Sequence, residues 1–110
     1  MPSRVDQFQV LVAQQPHNPL FRFSLAQALL TEGRTVEAIQ HLTLCAEKKP
    51  EWMLPRILLG KALLATGRQA EAKPWLEAAL RLALAQDHED PARELSALLA
   101  ELLESKKEVG

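Results

Sequence analysis

The 110-residue chain has one cysteine, no tyrosine, only four glycines and 5% aromatic residues. A lone cysteine, Cys45, cannot close an internal disulfide, so the fold does not depend on an oxidising compartment. The scarce glycines leave no phosphate-cradling loop: Gly33 and Gly67 read as helix ends, while Gly60 and Gly110 stand alone. Charge of one sign is also missing. The 13 basic and 14 acidic residues are mixed along the chain and sum to −1, so no field draws in nucleic acid or anionic lipid. No apolar run approaches the ~20 residues that cross a bilayer, because Arg56, Lys61 and Arg68 interrupt the richest region. Near the start, Val10 to Ala13 is too short for the core of a secretory signal. These absences point to a soluble, cytoplasmic chain with no membrane partner.

The chain does contain a repeat. The stretch from Pro19 to Trp52 recurs without a gap from Met53 to Gln86, matching Leu20 with Leu54, Arg22 with Arg56, Leu25 with Leu59, Ala28 with Ala62 and Leu29 with Leu63. The match continues through Gly33 and Gly67, Arg34 and Arg68, Glu37 and Glu71, Ala38 and Ala72, and Leu42 and Leu76. A period of this size means stacked units, each too small to bury its own apolar face. The residues that dominate are Leu, Ala, Gln and Glu, good helix formers, which makes the units helical.

Punctuation divides each unit into two helices. Asn18 can cap a helix whose first position is Pro19, and Gly33 ends it. A second helix runs from about Thr35 to Lys48 and stops at Pro50. In the next copy the helices begin near Met53 and Gln69; Pro55 is tolerable in an opening turn, whereas Pro74 predicts a kink or a later start. Before the repeats, Ser3 can cap a helix to about Gln15, with Val5, Phe8, Leu11 and Val12 on one side. Shifted by one repeat length, Phe8 falls on Leu42, Leu11 on Cys45 and Pro16 on Pro50, so this helix resembles the second half of a missing repeat. After them, Asp90 and Pro91 open a last helix with a stripe of Leu95, Leu98, Leu99, Leu102 and Leu103, and Ser105 to Gly110 reads as a frayed tail.

The spacing of Leu25, Ala26, Leu29, Gly33, Ala38, Leu42, Cys45 and Pro50, repeated as Leu59, Gly60, Leu63, Gly67, Ala72, Leu76 and Ala79, resembles the tetratricopeptide repeat (TPR). The resemblance implies an all-α, right-handed solenoid of antiparallel helix pairs with about six helices. Residues 1–17 form an N-terminal capping helix, 19–52 and 53–86 the repeats, and 88–107 a C-terminal cap. Arg22 and Arg56 depart from the family, standing where it often has an aromatic. Leu84 replaces the closing proline, which predicts a longer last helix in the second repeat.

Little in the chain reads as chemistry. His17, His41 and His88 lie far apart, and the repeats do not gather them around a cleft. His41 and Cys45 stand one turn apart, but zinc needs four ligands and nothing nearby supplies the others, so no metal or other cofactor is expected. Asp87, Glu89 and Asp90 lack the turn glycine of a calcium loop. The chain reads as noncatalytic. The functional signal is the first helix of each repeat, which is apolar on nearly all sides. Its Leu20, Phe23, Gln27 and Leu30, and then Leu54, Ile57, Lys61 and Leu64, match the positions that line the concave groove in the TPR family.

Those eight positions are the expected partner-binding residues, six large and apolar, two polar. Burying six such side chains is worth about 9–18 kcal/mol gross, against association costs of ~4–15 kcal/mol, which leaves room for micromolar binding of an apolar or amphipathic peptide segment. The paired Lys, Arg and Asn with which family members clamp a C-terminal carboxylate are absent, Lys61 being the one cation, which argues against that ligand. The alternative is a self-associating subunit whose groove is a homodimer interface, because exposed apolar patches of this size are rare on monomers.

Overall fold

The computed structural model describes residues 2–109, with side chains as far as residue 105. Six α-helices account for the described fold: α1 (Arg4–Gln14), α2 (Pro19–Thr31), α3 (Thr35–Lys48), α4 (Met53–Ala65), α5 (Gln69–Ala85) and α6 (Glu89–Val109). Both ends of α4 lie one repeat length beyond those of α2, and α5 begins one repeat length after α3, so the sequence period is a structural period. Each helix packs on its neighbours in the chain, giving an all-α right-handed solenoid of antiparallel pairs. The stack is elongated, 47 × 31 × 20 Å with a radius of gyration of 14.8 Å, against about 13 Å for a compact chain of this length.

Local chemistry sets the helix ends. Ser3 and Asp6 form a reciprocal capping box on α1, and the Asn18 side chain accepts the Leu20 N–H at 3.0 Å. Gly33 and Gly67 take φ of +76° and +77°, the left-handed conformation that ends a helix while handing its last carbonyls new donors. The Arg34 N–H then reaches Leu29 O at 2.9 Å, and the Arg68 N–H reaches Leu63 O at 2.8 Å. After α5 the same closure is made with Asp87 at φ 58° and the His88 N–H on Ala83 O.

Both boundaries of α6 differ from the sequence reading, whereas α5 keeps the start expected from the repeat. Helix α6 starts at Glu89, so Asp90 and Pro91 lie inside its first turn and Asp90 is not the cap; proline is accepted anywhere in a turn whose N–H groups have no partner. The helix also continues through Val109, so Ser105 to Val109 is helical and not a frayed tail, while Gly110 lies outside the described residues. Helix α5 begins at Gln69 despite Pro74, with no later start, and keeps the exposed proline in its sixth position. It runs 17 residues against 14 for α3, the extension expected from Leu84.

The core is built from residues in equivalent positions. Leu25 and Leu59, Leu29 and Leu63, Ala38 and Ala72, Leu42 and Leu76, and Cys45 and Ala79 are all buried. Small residues mark the crossings: Gly60 has no room for a side chain, since a Cβ there would stand 2.6 Å from Leu76 Cγ and closer still to Cδ2.

Candidate functional site

Helices α2 and α4 carry the eight expected groove residues in two equivalent rows, and the structure places them in three layers. Leu20 and Leu54 are open to solvent, 61% and 41% exposed. Gln27 and Lys61 are exposed polar residues, and Leu30 and Leu64 are half-buried. Phe23 and Ile57, at 7% and 9%, are buried within the chain and form a floor, not an open surface. The reason for Phe23 is Trp52, in the turn before α4, whose ring lies 4.7 Å from the phenylalanine ring at an interplanar angle of 52°. A tilted pair at this distance is a favourable aromatic arrangement.

Helix α6 lies beside α4 at one edge of these rows. Glu94 forms an ion pair with Lys61, and these two residues with Leu64, Ala97, Leu98 and Glu101 line a hollow of about 340 Å³. Lys61 is thus engaged by a carboxylate of its own chain. At the other end Gln27 borders a hollow of about 360 Å³ with Arg4, Ala28, Thr31 and Glu32. Leu95, Leu98, Leu99 and Leu102 of α6 pack against the core, and Leu20 and Leu54 stay exposed.

A second recurrent feature, which sequence reasoning missed, explains the arginines at the family's aromatic positions. Arg22 Nε donates to Pro16 O at 2.7 Å and Arg56 Nε to Pro50 O at 3.1 Å, so each arginine ties the turn before its helix. Each also reaches a ring at the same position of its repeat: Arg22 Nη1 lies 3.1 Å from His41 Nδ1, and the Arg56 guanidinium lies 5.2 Å from the centre of the Trp75 ring. His41 and Trp75 are one repeat length apart, as are Pro16 and Pro50. The signal was therefore available as a pair of matched shifts, but it joins unlike rings.

Among the described residues no group of three or more His, Cys, Asp or Glu side chains is placed to hold an ion. The Cys45 thiol is buried, donates to Pro19 O at 3.3 Å, and is pushed up to about 11 by burial. His41 is held below its ordinary value, first by burial and then by the Arg22 charge, with Glu37 opposing. Because an arginine can only donate, Nδ1 accepts and the neutral ring carries its proton on Nε2.

This gives stability a pH dependence of definite sign. As pH falls below the ordinary histidine value, the unfolded chain takes up a proton that folded His41 still refuses, so stability drops between the unfolded and the lower folded value. Urea midpoints followed from pH 8 to 5 are expected to fall less steeply for His41→Gln than for the wild type. An equal slope would show that His41 does not contribute.

No family model matches the chain. A TPR repeat-containing protein, PA0015 of Pseudomonas aeruginosa, is 30% identical over 98 residues, spanning 89% of this chain and 93% of that protein. The chain belongs to the tetratricopeptide repeat family. Solved structures agree on the TPR fold. The Yersinia enterocolitica type III secretion translocator chaperone SycD superposes with a TM-score of 0.87 at 20% identity, over 94% of this chain and 72% of that one. The TPR2B domain of yeast Sti1, solved in complex with pHsp70, gives 0.78 at 23% identity over 92% and 81%. BPP2914 of Bordetella parapertussis gives 0.77 at 25% identity over 96% and 91%. The TPR fold is that of a protein–protein interaction module, in a family of generally noncatalytic scaffolds. Among the described residues no helix is long and apolar enough to cross a membrane.

Proposed function

We propose that this protein is a noncatalytic adaptor of the cytoplasm that binds an amphipathic helical segment of another protein along α2 and α4. The observation that carries the reading is the pair Leu20 and Leu54, exposed at equivalent positions of successive repeats above a floor of Phe23 and Ile57. An isolated exposed leucine is ordinary, but two in register on adjoining helices form a strip that a ligand with leucine-like anchors can cover. That a TPR domain of yeast Sti1 is known in complex with pHsp70 supports partner binding by this architecture.

Burial of Phe23 and Ile57 lowers the affinity reckoned from sequence. Only the exposed parts of Leu20, Leu54, Leu30 and Leu64 remain to be covered, about 3–6 kcal/mol gross, which sits at the bottom of the ~4–15 kcal/mol association cost. Micromolar binding therefore requires the ligand to add polar contacts with Gln27, Lys61 or Glu101. Replacing Leu20 and Leu54 together by Asp is expected to weaken binding of a display-selected helical peptide at least about 30-fold, with helicity and thermal midpoint unchanged. An unaltered dissociation constant in fluorescence anisotropy would move the site elsewhere.

A further inference from the structure

The two ends of the stack are finished differently. Arg4 stands one repeat length before Ala38 and two before Ala72, both wholly buried at helix crossings. A long cation at this position, with its guanidinium 6.0 Å from the centre of the Phe8 ring, denies another helix the close approach that alanine allows. Helix α1 therefore closes the stack. The opposite end instead carries a largely leucine-lined surface, with Lys73 at its border. Helix α6 takes the place of a first helix of a third repeat, and where its partner would pack there is a hollow of about 720 Å³ between α5 and α6. Leu80, Leu99, Leu102 and Leu103 line it, with Lys73 and Glu77 among the other lining residues, and Leu103 is 53% exposed.

We propose that α6 of a second copy fills this hollow, joining two chains about a two-fold axis. Self-complementarity of α6 selects this occupant. Ser96, Leu99, Ala100 and Leu103 lie at spacings of three, one and three along one side of the helix, and all four line the hollow. When two such helices run antiparallel about a point between Leu99 and Ala100, Leu103 of each copy stands opposite Ser96 of the other. Leu99 likewise stands opposite Ala100, so each large side chain meets a small one, as close helix packing requires.

Charge favours the same orientation. The first turn of α6 carries Glu89 and Asp90, so parallel pairing would set like charges side by side. Antiparallel helices hold these acidic starts far apart and oppose their dipoles. A head-to-tail filament is barred by Arg4 at the other end. This interface is separate from the α2–α4 strip, which stays open in the dimer.

The test is sedimentation of the full chain across a wide concentration range, alongside two variants. The wild type is expected to double its mass as concentration rises. Leu103→Glu, at an exposed position that leaves the monomer fold intact, is expected to weaken the dimer about 10- to 100-fold with unchanged helicity. Ala100→Cys, near the axis, is expected to give a disulfide-linked dimer on oxidation. As a control, Leu84→Cys, exposed on the last turn of α5, is expected to give none, and the buried Cys45 does not compete. A wild type that stays monomeric, or a dimer indifferent to Leu103→Glu, overturns the proposal; a dimer that the Ala100→Cys variant cannot link overturns the antiparallel pairing. A dimer lost in the Leu20 and Leu54 variant instead would assign self-association to the groove.

Discussion

Phe23→Ser is expected to cost the fold about 3–5 kcal/mol, lowering the thermal midpoint by more than about 10 °C. The sequence pattern puts Phe23 in a groove, where its loss would affect partners alone. The structure puts it in the floor, 7% exposed and packed at a tilt against Trp52. Serine there leaves a void under the tryptophan and brings a hydroxyl into an apolar site. Far-UV circular dichroism with urea reads the effect directly. A variant with the wild-type midpoint would mean that the phenylalanine is not part of the core and that α2 presents a different side to solvent.

The second large effect lies at the crossing of α4 and α5. Leu76→Ala removes a side chain with no solvent exposure and is expected to destabilise by about 3–5 kcal/mol. Gly60→Ala faces two opposed terms: alanine is better than glycine in a helix by ~1 kcal/mol, yet its Cβ would stand 2.6 Å from Leu76 Cγ, and overpacking costs ~1–3 kcal/mol. The clash wins because Leu76 is enclosed on every side. In the double variant the new methyl occupies part of the space that Leu76 vacates, so the pair is expected to be more stable than Leu76→Ala alone. Additive losses in a double-mutant cycle would show that the two positions do not touch.

The repeat made most of the fold legible, because the small and large residues at helix crossings are dictated by packing that recurs with every unit. Helix starts at Pro19, Thr35, Met53 and Gln69 followed from it. What stayed hidden depended on contacts between unlike residues. Helix α2 is apolar on nearly every side, so its sequence does not say that Phe23 faces inward and Leu20 outward; Trp52, in the distant turn before α4, decides that. The arginines read as a departure from the family, and only the structure joins them to Pro16 and Pro50 behind and to His41 and Trp75 beside them. The start of α6 was misplaced because proline fits equally well at several positions of an opening turn.

The measurement that bears most directly on the proposed adaptor role is site-specific photo-cross-linking in cells. A photoreactive residue is placed in turn at Leu54 and at Val36, a residue 69% exposed at the start of α3 and outside the proposed strip, and the products are sequenced by mass spectrometry. The account predicts that the Leu54 probe captures a helical segment of one particular protein, that this adduct disappears when Leu20 is also changed to Asp, and that the Val36 probe does not yield it. Equal capture at both positions, or capture at Val36 alone, would contradict the assignment of α2 and α4 as the binding face.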